Sequence, residues 1–230
     1  MATADGARSW RLTEVENDAD HGSLIPVFSP DRSRLLWAER THGANLFNLP
    51  QVAGYWVLKT ADFIDDVAGP RLANARVVSV PGDAFNETGG FAPDSRPFVF
   101  TSDGPAQNFW KSQFVLADAE APTSFEVQTE LGAYKEHPRF TPDGRITWMS
   151  NVGSTLQGED WWVMNADGTA KTRLSYFNEP SSHFNGGQLV TCGPIAASNW
   201  SGDGSVFSAD VQTNLLSADG EILHVELTCP

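Results

Sequence analysis

The chain has 230 residues, 40% of them hydrophobic and 19% charged, with 15 Lys and Arg against 29 Asp and Glu for a net charge of −14. That composition is neither a disordered tail's nor a coiled coil's, and the charge opposes binding to nucleic-acid phosphates or anionic lipid through a general field. No apolar run approaches the roughly 20 residues that span a bilayer, and two cysteines, Cys192 and Cys229, make neither a disulfide framework nor a thiolate metal site.

Met1-Ala2-Thr3-Ala4-Asp5-Gly6 does not read as a secretory leader. Further on, one pattern occurs four times: Phe28-Ser29-Pro30-Asp31, Phe91-Ala92-Pro93-Asp94, Phe140-Thr141-Pro142-Asp143-Gly144 and Trp200-Ser201-Gly202-Asp203-Gly204. Each copy is an aromatic followed by a turn. In such turns Pro presets φ, Asp bonds the backbone two residues on, and Gly takes positive φ. Arg32 and Ser95 stand where Gly is expected, so those turns either differ or carry strain. Each turn leads into a short apolar strand: 35–38, 98–101, 146–149 and 206–209. A second strand-and-turn pattern follows at 55–62, 113–118, 160–168 and 214–220, and a last short strand at 76–80, 125–129, 171–174 and 222–227. A short helical turn is expected at 61–68, and little helix elsewhere.

Each unit is therefore a four-stranded antiparallel meander, too small to bury both of its faces alone. Radial stacking buries them, which predicts an all-β propeller of about four blades spanning approximately 20–82, 83–130, 131–178 and 190–230. Residues 4–13 align with 166–175, so the chain opens on the last hairpin turn and outer strand of a blade. This orphan N-terminal strand, beside a fourth unit with its own outer strand, leads us to expect part of a longer propeller, or an arc that self-associates through its terminal blades.

The segments Phe140 to Gly144, Trp161 to Gly168 and Arg173-Leu174-Ser175 resemble the TolB-type β-propeller repeat family. The resemblance runs from about Ala4 to Leu227. It implies six or seven blades in typical members, export to the periplasm or cell exterior, and scaffolds that bind proteins or glycans, some fused to peptidase domains.

In a meander, the turns after the first and third strands lie on one face. The loops after the second and fourth strands lie on the other, and here they are long: 38–54, 102–112, 150–159 and 175–194. That face is the expected working surface. It carries His21, His42, His137 and His183. Candidate ligand-binding residues are Glu136, His137, His183, Phe184, Asn185 and Trp110, the last an aromatic in an insertion loop. The loop 176–187 mixes aromatics, amides, a carboxylate and an imidazole, which suits a sugar ring. Imidazoles suit a divalent metal, so His21, His137 and His183 form a candidate ligand set.

The adjacent pairs Glu136–His137 and Glu159–Asp160 are not expected to make a two-carboxyl glycosidase site, because neighbours on a strand point to opposite faces. No nucleophile elbow and no phosphate-binding glycine loop is present. The leading expectation is a non-enzymatic scaffold that binds a protein or oligosaccharide through its long-loop face. The alternative is a metal-assisted carbohydrate-active enzyme of the polysaccharide lyase type, using loop histidines.

Overall fold

The structure, a computed structural model, describes residues 1–15, 18, 20–43, 54–78, 84–121, 125–127, 133–153, 159–177, 193–194, 199–212 and 220–226. Among the described residues the elements are strands, apart from one 3₁₀ turn at Phe109–Lys111.

The first sheet runs β1 (Gly22–Phe28), β2 (Arg34–His42), β3 (Tyr55–Asp66), β4 (Gly69–Val77) in spatial order. The second repeats it with β5 (Asn86–Phe91), β6 (Pro97–Ser102), β7 (Gln113–Asp118) and β8 (Phe125–Val127). The third uses β9 (Lys135–Phe140), β10 (Ile146–Ser150), β11 (Asp160–Met164) and β12 (Thr172–Arg173). All pairings are antiparallel.

The fourth sheet departs from the expected order. Its middle strand β15 (Val206–Gln212) pairs along its whole length with β16 (Gly220–Glu226). Its other edge takes β13 (Gly193–Pro194) and β14 (Asn199–Trp200), two pieces laid end to end. The segment 222–227, read from sequence as an outer strand, thus supplies the third strand. The segment read as the third strand falls mostly at 213–219, outside the described residues. Alternation in a short apolar run reports a half-buried strand but not which neighbour it pairs with.

The sheets stack as an open propeller. Inner strand β1 lies against β5, β5 against β9, and β11 against β13, while the four sheets remain separate and unclosed. Between the first and second blades Leu36, Ala38 and Leu58 meet Phe91, Phe98 and Phe100. Between the second and third, Val99 and Phe114 meet Ile146, Trp148 and Met164. These aliphatic and aromatic residues fill the pleat that one meander leaves bare.

The N-terminal residues form the predicted hairpin turn: Gly6 adopts φ 69°, as Gly168 adopts φ 80° in the third blade. Asp5 accepts a hydrogen bond from the Ala7 amide as Asp167 does from Thr169. Among the described residues its strand pairing is the small hairpin at Ala2 and Ser9, and beyond that the orphan segment packs. Leu12 joins Leu35, Trp37, Ala61 and Leu72 on the face of the first blade turned away from the second. The expected helical turn at 61–68 is instead the end of β3 and its turn into β4, with Gly69 at φ 100°. Asp62 to Asp66 pair residue by residue with β4, and that ladder overrides the local helical pattern.

All four aromatic-led turns have one geometry. The fifth residue's amide bonds back to the second residue's carbonyl in each: Arg32 to Ser29, Ser95 to Ala92, Gly144 to Thr141 and Gly204 to Ser201. That fifth residue has φ of 61°, 65°, 85° and 72° respectively. Arg32 and Ser95 therefore hold the left-handed conformation that favours glycine, which locates the anticipated strain.

Candidate functional site: an acidic cluster at the inner strands

In the first three blades the inner strand carries a bulge a few residues before its aromatic. The register slips between Leu24 and Val27 in β1, between Thr88 and Gly90 in β5, and between Glu136 and Arg139 in β9. Ile25 (φ 42°) and His137 (φ 52°) take left-handed backbone there, each just before a proline. In the second blade Gly89 occupies the bulge, where an added Cβ would lie 2.4 Å from the Val99 carbonyl oxygen and 2.6 Å from that of Pro138. Only glycine allows that approach. The kinked backbone is tied across blades: the Thr88 hydroxyl donates to the Ile25 carbonyl at 2.6 Å, and the Arg139 guanidinium donates to the Thr88 and Gly89 carbonyls.

A bulge re-aims side chains. Here it places His137 beside Glu136 instead of on the opposite face of the strand. Glu87, Glu136 and His137 each offer a ligand atom, and those atoms all lie within 4.8 Å of one another. Glu87 and Glu136 occupy the same repeat position, four residues before Phe91 and Phe140. The His137 Nε2 stands 3.5 Å from Glu87 Oε2, with both side chains about nine-tenths buried. The Glu87 Oε2 is shielded from solvent and makes no hydrogen bond. His137 Nδ1 lies 3.1 Å from the Met149 thioether.

Neighbouring groups sharpen the electrostatics. Burial and then the Glu87 charge hold the Glu136 carboxyl above its usual range. Burial, then the charge of Glu136, pushes Glu159 up to about 8. Burial alone would push the His137 imidazole down, but Glu87 and Glu136 outweigh it and hold the imidazole above its ordinary value. Burial lowers Arg139 to about 10. The Tyr134 phenol is driven well up by burial and by the Glu136 charge, and it hydrogen-bonds the Glu136 carboxylate. Crowded, desolvated acids of this kind make the cluster a candidate functional site.

Tyr134 links the cluster to an aromatic patch. Its ring centroid is 5.5 Å from those of Phe109 and Trp110. Phe109 is buried and packs edge-on against Phe85 at 5.1 Å, whereas Trp110 is 45% exposed. Asn108 caps this 3₁₀ turn through its side chain to the Trp110 amide at 3.0 Å. The loops after the second strands and the approaches to the inner strands meet on this side of the molecule. Asp103 accepts from the Phe85 amide at 2.8 Å, and Asn151 accepts from the Tyr134 amide at 3.1 Å. These contacts fit the expected long-loop face, with the Pro-Asp turns at the opposite end.

Of the residues singled out from sequence, Glu136, His137 and Trp110 come together, joined through Tyr134. His21 lies elsewhere. It pairs with Asp18 at 3.0 Å and lines a depression of ≈ 760 Å³ with Leu12, Trp37, Arg40 and Lys59 on the first blade. His183, Phe184 and Asn185 fall outside the described residues, as do Cys192 and Cys229. Asp160, the neighbour of Glu159, is structural: fully buried, it accepts from Arg173 at 2.5 Å, from the Ser175 hydroxyl at 2.9 Å and from the Phe177 amide at 2.8 Å.

Neither a family model nor a curated protein matches this chain. Solved structures do. TolB from Acinetobacter baumannii aligns at 14% identity with a TM-score of 0.58, covering 90% of this chain and 41% of that one. A putative TolB from Agrobacterium tumefaciens aligns at 11% identity and TM-score 0.54, covering 90% and 78%. A Mycobacterium tuberculosis puromycin-hydrolyzing peptidase aligns at 14% identity and TM-score 0.52, covering 87% of this chain and 26% of that one. The likeness is one of fold, a TolB-like propeller, and this chain spans well under half the length of the first and third of these proteins.

Proposed function

We propose that this chain is a propeller scaffold that binds a protein or oligosaccharide ligand on its long-loop face, around Trp110. The observation that carries the reading is the half-exposed Trp110 set against Tyr134, whose hydroxyl reaches the half-buried Glu136. An aromatic face beside hydrogen-bonding carboxyls suits a sugar ring, or the lysine and arginine side chains of a protein. The test is binding of the purified chain to an array of neutral, acidic and amino-sugar oligosaccharides and to a library of basic peptides, beside its Trp110→Ala variant. Ligands that the variant loses by about tenfold or more support the reading, since one stacked aromatic is worth roughly 1–3 kcal/mol. Failure of every probe to bind, or equal binding by the variant, overturns it. A metal-assisted carbohydrate-active enzyme remains the second reading, favoured by the convergence of His137 with two carboxylates.

A further inference from the structure

We propose that Glu87, Glu136 and His137 form a divalent transition-metal site that ties the inner strand of the second blade to that of the third. Their ligand atoms lie within 4.8 Å of one another, a span that one cation can bridge. The donor set comes from two sheets: Glu87 from β5, Glu136 and His137 from β9. It does not depend on what binds at Trp110.

Three features point to a cation rather than to packing. First, Glu87 is about nine-tenths buried and its Oε2, within the cluster, has no hydrogen bond. A buried carboxylate oxygen without a hydrogen bond is costly and calls for an explanation, of which a bound ion is one. Second, Nδ1 of His137 faces the Met149 thioether at 3.1 Å. With the proton on Nδ1, the Nε2 lone pair faces Glu87, the arrangement of a metal-ligating imidazole whose other nitrogen donates outward. In that tautomer three electron-rich atoms converge, and a bound cation takes the place of the Nε2 proton that otherwise faces Glu87. Third, Glu87 and Glu136 share one repeat position, while the third ligand is set by the bulge at His137. One nitrogen and two carboxylate oxygens suit Mn²⁺ or Zn²⁺ better than Ca²⁺ or Mg²⁺, which take oxygen ligands alone.

The experiment uses the whole chain, stripped with chelator and titrated with MnCl₂ by electron paramagnetic resonance and with ZnCl₂ by calorimetry. The expected result is one ion per chain, with a Tm raised by about 5–10 °C at metal 100-fold above its dissociation constant. Glu87→Gln and His137→Asn are expected to weaken binding by about tenfold or more, whereas His21→Asn leaves it unchanged. A readout without substitution accompanies these: Mn²⁺ broadens the His137 imidazole resonances of the wild-type chain and spares those of His21. Absence of stoichiometric binding of both ions overturns the proposal. So does binding that survives Glu87→Gln and His137→Asn, or broadening that spares His137. Metal binding without any array ligand would sink only the Trp110 reading, and the reverse only this one.

Discussion

The carboxylates at the two ends of the propeller behave in opposite ways. At the turn end, Asp31 and Asp203 are exposed and held down at about 2, first by the hydroxyls of Ser29 and Ser201 and then by the amides and hydroxyls of Ser33 and Ser205. At the loop end, Asp103 and Glu159 are pushed up, to about 6 and about 8, chiefly by burial. In the first group each Oδ1 accepts from two serine hydroxyls and an amide of its own turn, and the carboxylate stabilises the fold. The second is enclosed, and beside it Glu87 Oε2, like Asp103 Oδ2, is buried without a hydrogen bond. Acid type alone therefore says nothing about role; what surrounds the carboxyl decides it.

The largest test of that contrast is Asp160, a loop-end acid that should behave as a structural one. Asp160→Ala leaves Arg173, only 15% exposed at its side chain, without this partner and strips the Phe177 amide of its acceptor. Breaking a buried pair from one side costs about 3–5 kcal/mol. Urea unfolding should show that loss, whereas Glu159→Gln next door should stay within about 1 kcal/mol of wild type. Equal losses for both would erase the distinction between these neighbours.

Asp103 sharpens the comparison through pH. Its folded pKa, near 6, lies above the ordinary 3.8, so the folded chain binds the extra proton. Stability from this group is therefore full below about pH 4 and falls as pH rises through 6. The third blade has Asn151 in the corresponding place, accepting from Tyr134 as Asp103 accepts from Phe85. Asp103→Asn keeps that acceptor and discards the buried charge. It should match wild type below about pH 4 and be more stable by about 1–2 kcal/mol above pH 6, a figure reduced for residual solvent screening. Asp31 and Asp203 have the reverse sign: their stabilisation is complete above pH 4 and disappears as pH falls towards 2. Tm measured from pH 2 to 8 should show Asp31→Ala lowered by about 2–4 °C at neutral pH and converging on wild type near pH 2.

What could be read in advance follows the same division. Pro-Asp turns and the strands after them are legible because a few residue types are forced by local backbone geometry, and the N-terminal Asp5-Gly6 turn is legible for the same reason. Registering each unit on its aromatic would also have brought out Glu87 beside Glu136. What local pattern could not give is the bulge at His137, which overrules the alternation that put Glu136 and His137 on opposite faces. Nor could it give the Tyr134–Trp110 contact, which joins an insertion of the second blade to the entry of the third. The place of 222–227 beside the middle strand of the fourth sheet escaped because it alternates equally well as a third or an outer strand. Likewise, residues 61–68 look locally helical, and only pairing with β4 extends them.

The smallest expected effect lies in the turns themselves. Arg32 and Ser95 both sit at positive φ where Gly144 and Gly204 sit in the other blades, yet they should not respond alike to glycine. Arg32 is exposed, and glycine there relieves left-handed strain at the cost of a freer unfolded chain. A net gain of about 0.5 kcal/mol is expected for Arg32→Gly. Ser95 is buried, and its hydroxyl accepts from the Asp31 amide at 3.0 Å, joining the first blade to the second. Ser95→Gly relieves the same strain but removes that acceptor, worth about 1 kcal/mol, so it should gain nothing or lose slightly. Parallel chemical denaturation of the two variants decides it: equal gains would mean that the Ser95 hydroxyl does not hold the blades together.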